Sequence, residues 1–161
     1  MTRRAQLRLF FHGAIFILAA MLIGGPGIYL AVNRGWSDDY RQLLRQSHTI
    51  LISSGLWLIA TGAAVPSLIL SDGWVSALVW LLVLSGYTFM VAIVVLAAAL
   101  QLGPPLLASA SQLSKLHAAP YHLGLVYLMI LGVSALASLV AGIAMIGGAR
   151  KALRQVSLTE I

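Results

Sequence analysis

The sequence predicts an all-α integral membrane protein, built as an antiparallel bundle of four transmembrane helices. Hydrophobic residues make up 60% of the 161 residues and charged residues only 9%, whereas about 25% of the residues in soluble domains are charged. The uncharged stretches 46–71, 73–114 and 116–149 are each long enough for at least one spanning helix of ~20 apolar residues. Because a segment in lipid must satisfy its own backbone hydrogen bonds, helices are the expected spanning form.

The boundaries of the helices follow from charges and turn residues, within a single domain over residues 1–161. Arg3, Arg4 and Arg8 precede the first span as in a signal peptide, but no small-residue cleavage site follows, which favours a retained anchor helix. Ser37 or an aspartate after it is expected to cap the second helix. The turn at Asp72 is so short that the second and third helices must be antiparallel neighbours. We expect spans at about 9–32, 45–70, 74–102 and 122–148.

The distribution of Lys and Arg predicts the orientation in the membrane. An even number of spans puts both termini on one side, and that side carries six Lys and Arg residues against four on the other. Since cytoplasmic loops are enriched in Lys and Arg, we expect both termini in the cytoplasm and the protein in the inner (cytoplasmic) membrane. The net charge of +6 then reflects contacts with the lipid bilayer. No basic patch is interleaved with aromatic residues, so nucleic acid is not an expected partner.

Two features of the composition narrow the chemistry. The chain has no cysteine, which excludes disulfides, thiolate ligands, cysteine nucleophiles and covalently attached haem. No Asp, Glu, Lys or Arg falls in the middle of a predicted span. A proton-coupled transporter or pump usually needs an intramembrane carboxylate, so this class is disfavoured.

Four histidines near the ends of predicted spans are the remaining candidates, and an interfacial role is the simplest explanation for most of them. His48 differs, because Arg45, His48 and Gly55 share one helical face. The imidazole suits an iron ligand, the guanidinium suits an anionic group of a flat cofactor, and the glycine would leave room for its ring. A plain helix entry explains the same pattern, so periodicity leaves both interpretations open. The histidines are His12, His48, His117 and His122.

Hydroxyls and small residues inside the spans also allow two interpretations. The hydroxyls either bond back to the preceding turn or line a neutral pocket for an apolar substrate with one oxygen. The small residues indicate close helix packing of the small-xxx-small type, which is compatible with oligomerisation. The hydroxyls are those of Ser53, Ser54, Thr61, Ser85, Tyr87 and Thr88, and the small residues are Gly24, Gly25, Gly27, Ser134, Ser138 and Gly142.

An ordered set of residues runs through nearly the whole chain: a histidine that opens the second helix, a Pro-Ser-Leu motif that closes it, and an aspartate that follows. This set resembles the styrene oxide isomerase family, small four-helix membrane enzymes that carry haem b. The corresponding residues are His12, Gly13, Gly24, His48, Pro66, Ser67, Leu68, Asp72, Val83, Leu84 and Gly86, with a basic end of the fourth helix at Arg150 and Lys151.

The resemblance implies an activity, a cofactor and an assembly. Members rearrange an epoxide to an aldehyde with ferric haem as the Lewis acid on the epoxide oxygen, and they assemble as trimers. His48 is then the axial ligand of haem b, and Arg45 lies beside it as a cofactor-binding residue. The expected substrate is a small lipophilic epoxide, and the expected assembly is a homo-oligomer.

Two pocket residues of the family differ in this chain. The asparagine six residues after the ligand histidine falls on Ser54, and the tyrosine of the third helix falls on Ile93. Tyr87 is the nearest phenol, nearly two turns away. Ser54 and Tyr87 are therefore the candidate catalytic residues. The two differences leave open whether the substrate or the reaction is that of the family, while the haem site is expected to be kept.

Two other functions are compatible with the sequence. The protein is alternatively a non-enzymatic haem protein for electron transfer or sensing, in which His48 pairs with His117 or His122 as a second ligand. A structural or assembly subunit without a cofactor is the third interpretation.

Overall fold

The computed structural model describes residues 2–102 and 121–159, without the side chains of residues 39, 96–102, 121–124 and 158–159. It confirms the predicted class, because this part of the chain is helical without strands and has four helices long and apolar enough to cross a membrane. The segment with His117 lies outside the described residues. The elements are α1 (Thr2–Leu22), a π-helical segment (Ile23–Gly27), α2 (Ile28–Asn33), α3 (Asp38–Ala64), a 3-10 turn (Val65–Ser67), α4 (Asp72–Leu102) and α5 (Tyr121–Thr159).

The helices extend further from the apolar stretches than the sequence analysis predicts. The first begins at Thr2 and the last ends at Thr159, because Arg, Lys and Gln in these flanks are good helix formers that place their polar ends in water. The second begins at Asp38, with Ser37 at the N-cap position. Ser37 makes no capping hydrogen bond with its side chain, so the predicted cap is confirmed in position only.

A glycine ends the first span. Gly35 takes a φ of +63°, a left-handed conformation that is strained for residues with a side chain. The N–H of Trp36 donates to the carbonyl of Ala31 at 2.9 Å, and the N–H of Gly35 donates to that of Val32 at 3.2 Å. These two bonds form a Schellman motif, which satisfies the last carbonyls of α2.

The connection between α3 and α4 is short, as predicted. Pro66 lies in the 3-10 turn that follows α3, where its missing N–H prevents the helix from continuing. The side chain of Ser71 accepts the N–H of Trp74 at 3.5 Å, and its carbonyl accepts that of Val75 at 2.9 Å. Asp72 stands in the first turn of α4, where the positive end of the helix dipole favours a carboxylate. The two helices are therefore antiparallel neighbours.

Two tightly packed antiparallel pairs, α1 with α3 and α4 with α5, make up the bundle. In the first pair the backbones meet at two glycines: a Cβ added to Gly55 would lie 2.7 Å from the carbonyl oxygen of Gly13, and one added to Gly13 would lie 2.8 Å from that of Gly55. The prediction that Gly55 leaves room for a cofactor ring is therefore wrong, because α1 of the same chain fills that space.

The apolar core lies between these pairs, and the outer face is apolar as well. Phe16 of α1 and Leu78 of α4 are fully buried at its centre. Large apolar side chains such as Phe11, Trp57 and Trp80 are more than half exposed, which suits a surface that faces lipid rather than water.

The contact between the two glycines gives a direct test of the packing. We expect Gly55→Ala to lower the free energy of unfolding in detergent by about 1–3 kcal/mol, the usual cost of overpacking a close contact. Gly132→Ala is the matched control, since nothing lies within 4 Å of a Cβ built on Gly132. Equal stability of the two variants, measured by thermal unfolding, would contradict the close approach of α1 and α3.

Candidate functional site

His48 lies on α3 and faces α1, and its imidazole is held by the main chain of that helix. Its Nδ1 is 2.8 Å from the carbonyl oxygen of Ala20. A carbonyl only accepts, so Nδ1 carries a proton, and in the neutral imidazole Nε2 then keeps its lone pair. Nε2 has no hydrogen-bond partner in the described part of the chain. An imidazole that donates one N–H to a carbonyl is the usual arrangement of a metal-ligating histidine.

Gly24 lies directly against this ring. A Cβ on Gly24 would lie 2.9 Å from Cγ of His48 and closer still to Nδ1 and Cε1. Gly24 belongs to the π-helical segment, in which the N–H of Ile28 reaches the carbonyl of Ile23, five residues back. Pro26 lies inside this segment and has no N–H for a regular α-helical bond. Such π-bulges occur often at functional sites.

Arg45 precedes His48 by about one turn of α3 and is exposed. Arg41, a turn earlier, forms an ion pair with Asp38, whereas Arg45 makes no ion pair within the described residues. The guanidinium of Arg45 is thus available for an anionic group near His48. The structure places these two predicted cofactor-binding residues on successive turns of one helix.

The described residues around His48 do not form a metal site with several protein ligands. Among the described residues, no three His, Cys, Asp or Glu side chains are grouped so that they could hold a metal ion. A single imidazole donor of this kind is compatible with an axial ligand to a metal inside a planar organic group. The proposed second ligands stay predictions, because His117 lies outside the described residues and the side chain of His122 is not described.

A cleft of about 250 Å³ is lined by α3, α4 and α5, together with Phe16 of α1, and contains Ser54. It is partly open, and we call it the serine cleft. Its other lining residues include three aromatic side chains that would contact the apolar body of a ligand. The lining residues are Phe16, Ile50, Ser54, Trp57, Leu58, Leu82, Ser85, Gly86, Phe89, Ser134 and Ser138.

Three hydroxyls of the serine cleft bond to one another across α4 and α5. Oγ of Ser85 is 2.6 Å from Oγ of Ser138, and Ser134 donates to the carbonyl of Ser85 at 2.9 Å. Ser53 instead donates to the carbonyl of Thr49 in its own helix at 2.9 Å. Ser54 has no hydrogen bond within the described residues, so its hydroxyl is free for a ligand. Back-bonding within one helix is therefore confirmed for Ser53, whereas the use of the serine cleft by a substrate stays a prediction.

Tyr87 lies on a different side of α4 from the serine cleft. Its Oη is 3.1 Å from Nδ1 of His12, and its ring packs on Phe16 with centroids 5.0 Å apart. This bond joins α1 to α4, a pairing that nothing in the sequence indicated. The structure thus separates the two candidate catalytic residues, Ser54 and Tyr87, and their catalytic roles stay predictions.

Another phenol, which the sequence analysis did not single out, comes close to the serine cleft. Tyr127 of α5 lines a smaller cavity together with Ile93, the position at which the resemblance places a tyrosine. Ile50 and Phe89 line both this cavity and the serine cleft. Only the antiparallel packing of α4 on α5 reveals this neighbourhood, because the two positions are far apart in sequence.

The serine bonds predict different costs for two identical substitutions. We expect Ser85→Ala to lower the free energy of unfolding by about 0.6–1.7 kcal/mol, the range for hydrogen bonds between membrane helices. Ser53→Ala removes only a bond within one helix and should cost close to nothing. Denaturant titrations in the same detergent would compare them, and equal losses would contradict a structural role of the cluster.

Comparison with known proteins gives one match. The sequence model of the family described as styrene oxide isomerase matches residues 5–150, which include all four candidate spans except the first three residues of the first and the end of the last. No curated protein and no solved structure matches the chain. The matched region contains His48, Arg45 and the serine cleft, so the family match and the candidate site concern the same part of the molecule. This multi-pass membrane protein belongs to the styrene oxide isomerase family.

Proposed function

We propose that this protein is a haem-b-dependent membrane isomerase that converts a small lipophilic epoxide into a carbonyl compound. The imidazole of His48 carries this proposal. One of its nitrogens donates to a main-chain carbonyl, and the other has its lone pair free, in a chain that belongs to this isomerase family.

The residues around His48 fit the proposed cofactor. Nε2 of His48 would ligate the iron, and the exposed guanidinium of Arg45 would pair with a propionate. When bound, ferric haem supplies a Lewis acid that polarises the epoxide oxygen. The carbonyl of Ala20 keeps His48 in the tautomer that a ligand needs.

The serine cleft would hold the substrate. Its apolar and aromatic lining suits the hydrocarbon part of an epoxide, and the free hydroxyl of Ser54 is a donor for its oxygen. Since the cleft is partly open and is lined by spanning helices, a lipophilic substrate would enter it from the bilayer. Phe16, Trp57 and Phe89 would keep water away from the ring-opening step, where hydrolysis competes with rearrangement.

The proposal includes the assembly and the membrane. We infer a homo-oligomer, a trimer by analogy with the family, located in the inner membrane with both termini in the cytoplasm. The orientation is supported by the excess of Lys and Arg on the side of the termini. The apolar outer faces of the helices leave ample surface for contacts with lipid or with further copies of the chain.

Replacement of His48 tests the haem site. We expect His48→Ala, expressed with added haem, to lose the Soret absorption band of the wild type while it elutes as a folded protein. His12→Ala is the control histidine, because His12 bonds Tyr87 instead, and it should retain the band. A His48→Ala variant with full haem content would disprove this ligand.

The same absorption spectra distinguish the proposed isomerase from the two alternative functions. A low-spin spectrum that is lost when His48 is replaced, and also when His117 or His122 is replaced, would favour a bis-histidine protein for electron transfer or sensing. A colourless wild-type protein would favour the third interpretation, a structural or assembly subunit without a cofactor.

The role of the serine cleft is tested by filling it. We expect Ser54→Leu to lower kcat/KM for an aryl epoxide by about tenfold or more, which corresponds to about 1.4 kcal/mol of lost transition-state stabilisation. The haem content should stay unchanged. Ser53→Leu is the matched control, since Ser53 directly precedes Ser54 on α3 and is exposed. Wild-type turnover by Ser54→Leu would mean that the epoxide binds elsewhere.

A further inference from the structure

We propose that Gly24 and the main chain at Ala20 are the positioning elements of the His48 imidazole, so that α1 sets the orientation of the haem ligand on α3. This inference rests on the proposed haem site. Gly24 acts by having no side chain, and Ala20 acts through its carbonyl. Both are therefore positioning residues rather than catalytic ones.

The hydrogen bond from His48 fixes the ring in one direction. Nδ1 donates to the carbonyl of Ala20 at 2.8 Å, and this carbonyl belongs to the neighbouring spanning helix. A carbonyl oxygen has two lone pairs and can accept this bond in addition to one from its own helix. Because the acceptor is main chain, its position depends on the path of α1 and not on the side chain at position 20.

Gly24 restricts the orientation of the His48 imidazole by lying against the ring. A Cβ at this position would lie 2.9 Å from Cγ of His48, well inside ordinary van der Waals contact. Cγ is the ring atom nearest the main chain, so a small movement of the ring tip cannot relieve the clash. A rotation about χ1 of His48 would relieve it, but it would also break the bond to Ala20. A single methyl group at Gly24 should therefore turn the ligand away without unfolding the bundle.

The local backbone makes this contact specific to one of two adjacent glycines. Gly24 and Gly25 both lie in the π-helical segment Ile23–Gly27. A Cβ on Gly25 has nothing within 4 Å, whereas one on Gly24 meets the imidazole. The same substitution at these neighbouring positions thus changes helix propensity equally and contact with His48 unequally.

The experiment compares Gly24→Ala with Gly25→Ala in the full-length protein, purified with haem. We expect Gly25→Ala to keep the wild-type Soret maximum and haem affinity. Gly24→Ala should shift the maximum and weaken haem binding about 10–100-fold, as changes behind a metal ligand typically do. If Gly24→Ala has the wild-type spectrum and affinity, or if Gly25→Ala loses haem equally, the inference is overturned.

A second measurement, of the stability of the haem-free protein, tests the contact between Gly24 and His48 independently of haem. Gly24→Ala should destabilise the wild type but have no further effect in a His48→Ala background, because the ring that it clashes with is then absent. Equal destabilisation in both backgrounds would overturn the contact. A wild type that takes up no haem would overturn the proposed function and the role of His48 as ligand, whereas the coupling would still report on the contact itself.

Discussion

The close approach of α1 and α3 at Gly13 and Gly55 is the constraint on which the rest of the structure depends. Two backbones can come this near only where neither residue has a side chain, since each added Cβ would lie within 2.8 Å of the opposite carbonyl. This crossing fixes the antiparallel register of the pair. Two turns further along α1, the same register brings the carbonyl of Ala20 to His48 and places Gly24 against its ring.

Several polar side chains inside the bundle form hydrogen bonds within the protein, because lipid offers them no other hydrogen-bond partners. The hydroxyl cluster around Ser85 joins α4 to α5, and the bond between His12 and Tyr87 joins α1 to α4. These contacts fasten the helices where apolar surfaces alone give little preference for each other over lipid. Within the described residues, Nε2 of His48 and the hydroxyl of Ser54 take no part in this network, and on this the proposed roles of the two groups depend.

Particular residues show how much of the candidate site could be predicted from the sequence. His48 and Arg45 could be selected because their helical spacing reads directly from the chain, and the structure keeps them on successive turns. The role given to Gly55 was wrong for a tertiary reason, since helical periodicity shows which residues share a face but not what that face meets. For the same reason the sequence could not show that Ser54 lines the serine cleft while Tyr87 bonds His12 instead, and the neighbourhood of Tyr127 and Ile93 arises only from the contact of α4 with α5.

The sequence by itself determined the membrane-spanning class, the number of helices and their approximate ends, because the length and charge of apolar stretches limit what a bilayer accepts. Its ordered motifs also sufficed to identify the styrene oxide isomerase family, which the family match confirms. Only the tertiary structure decided which nitrogen of His48 bonds to the main chain, that Gly24 packs against the imidazole while Gly55 packs against α1, and which serines line a cleft. Those properties depend on distances between helices, and such distances are fixed by side-chain packing between residues that are remote in sequence.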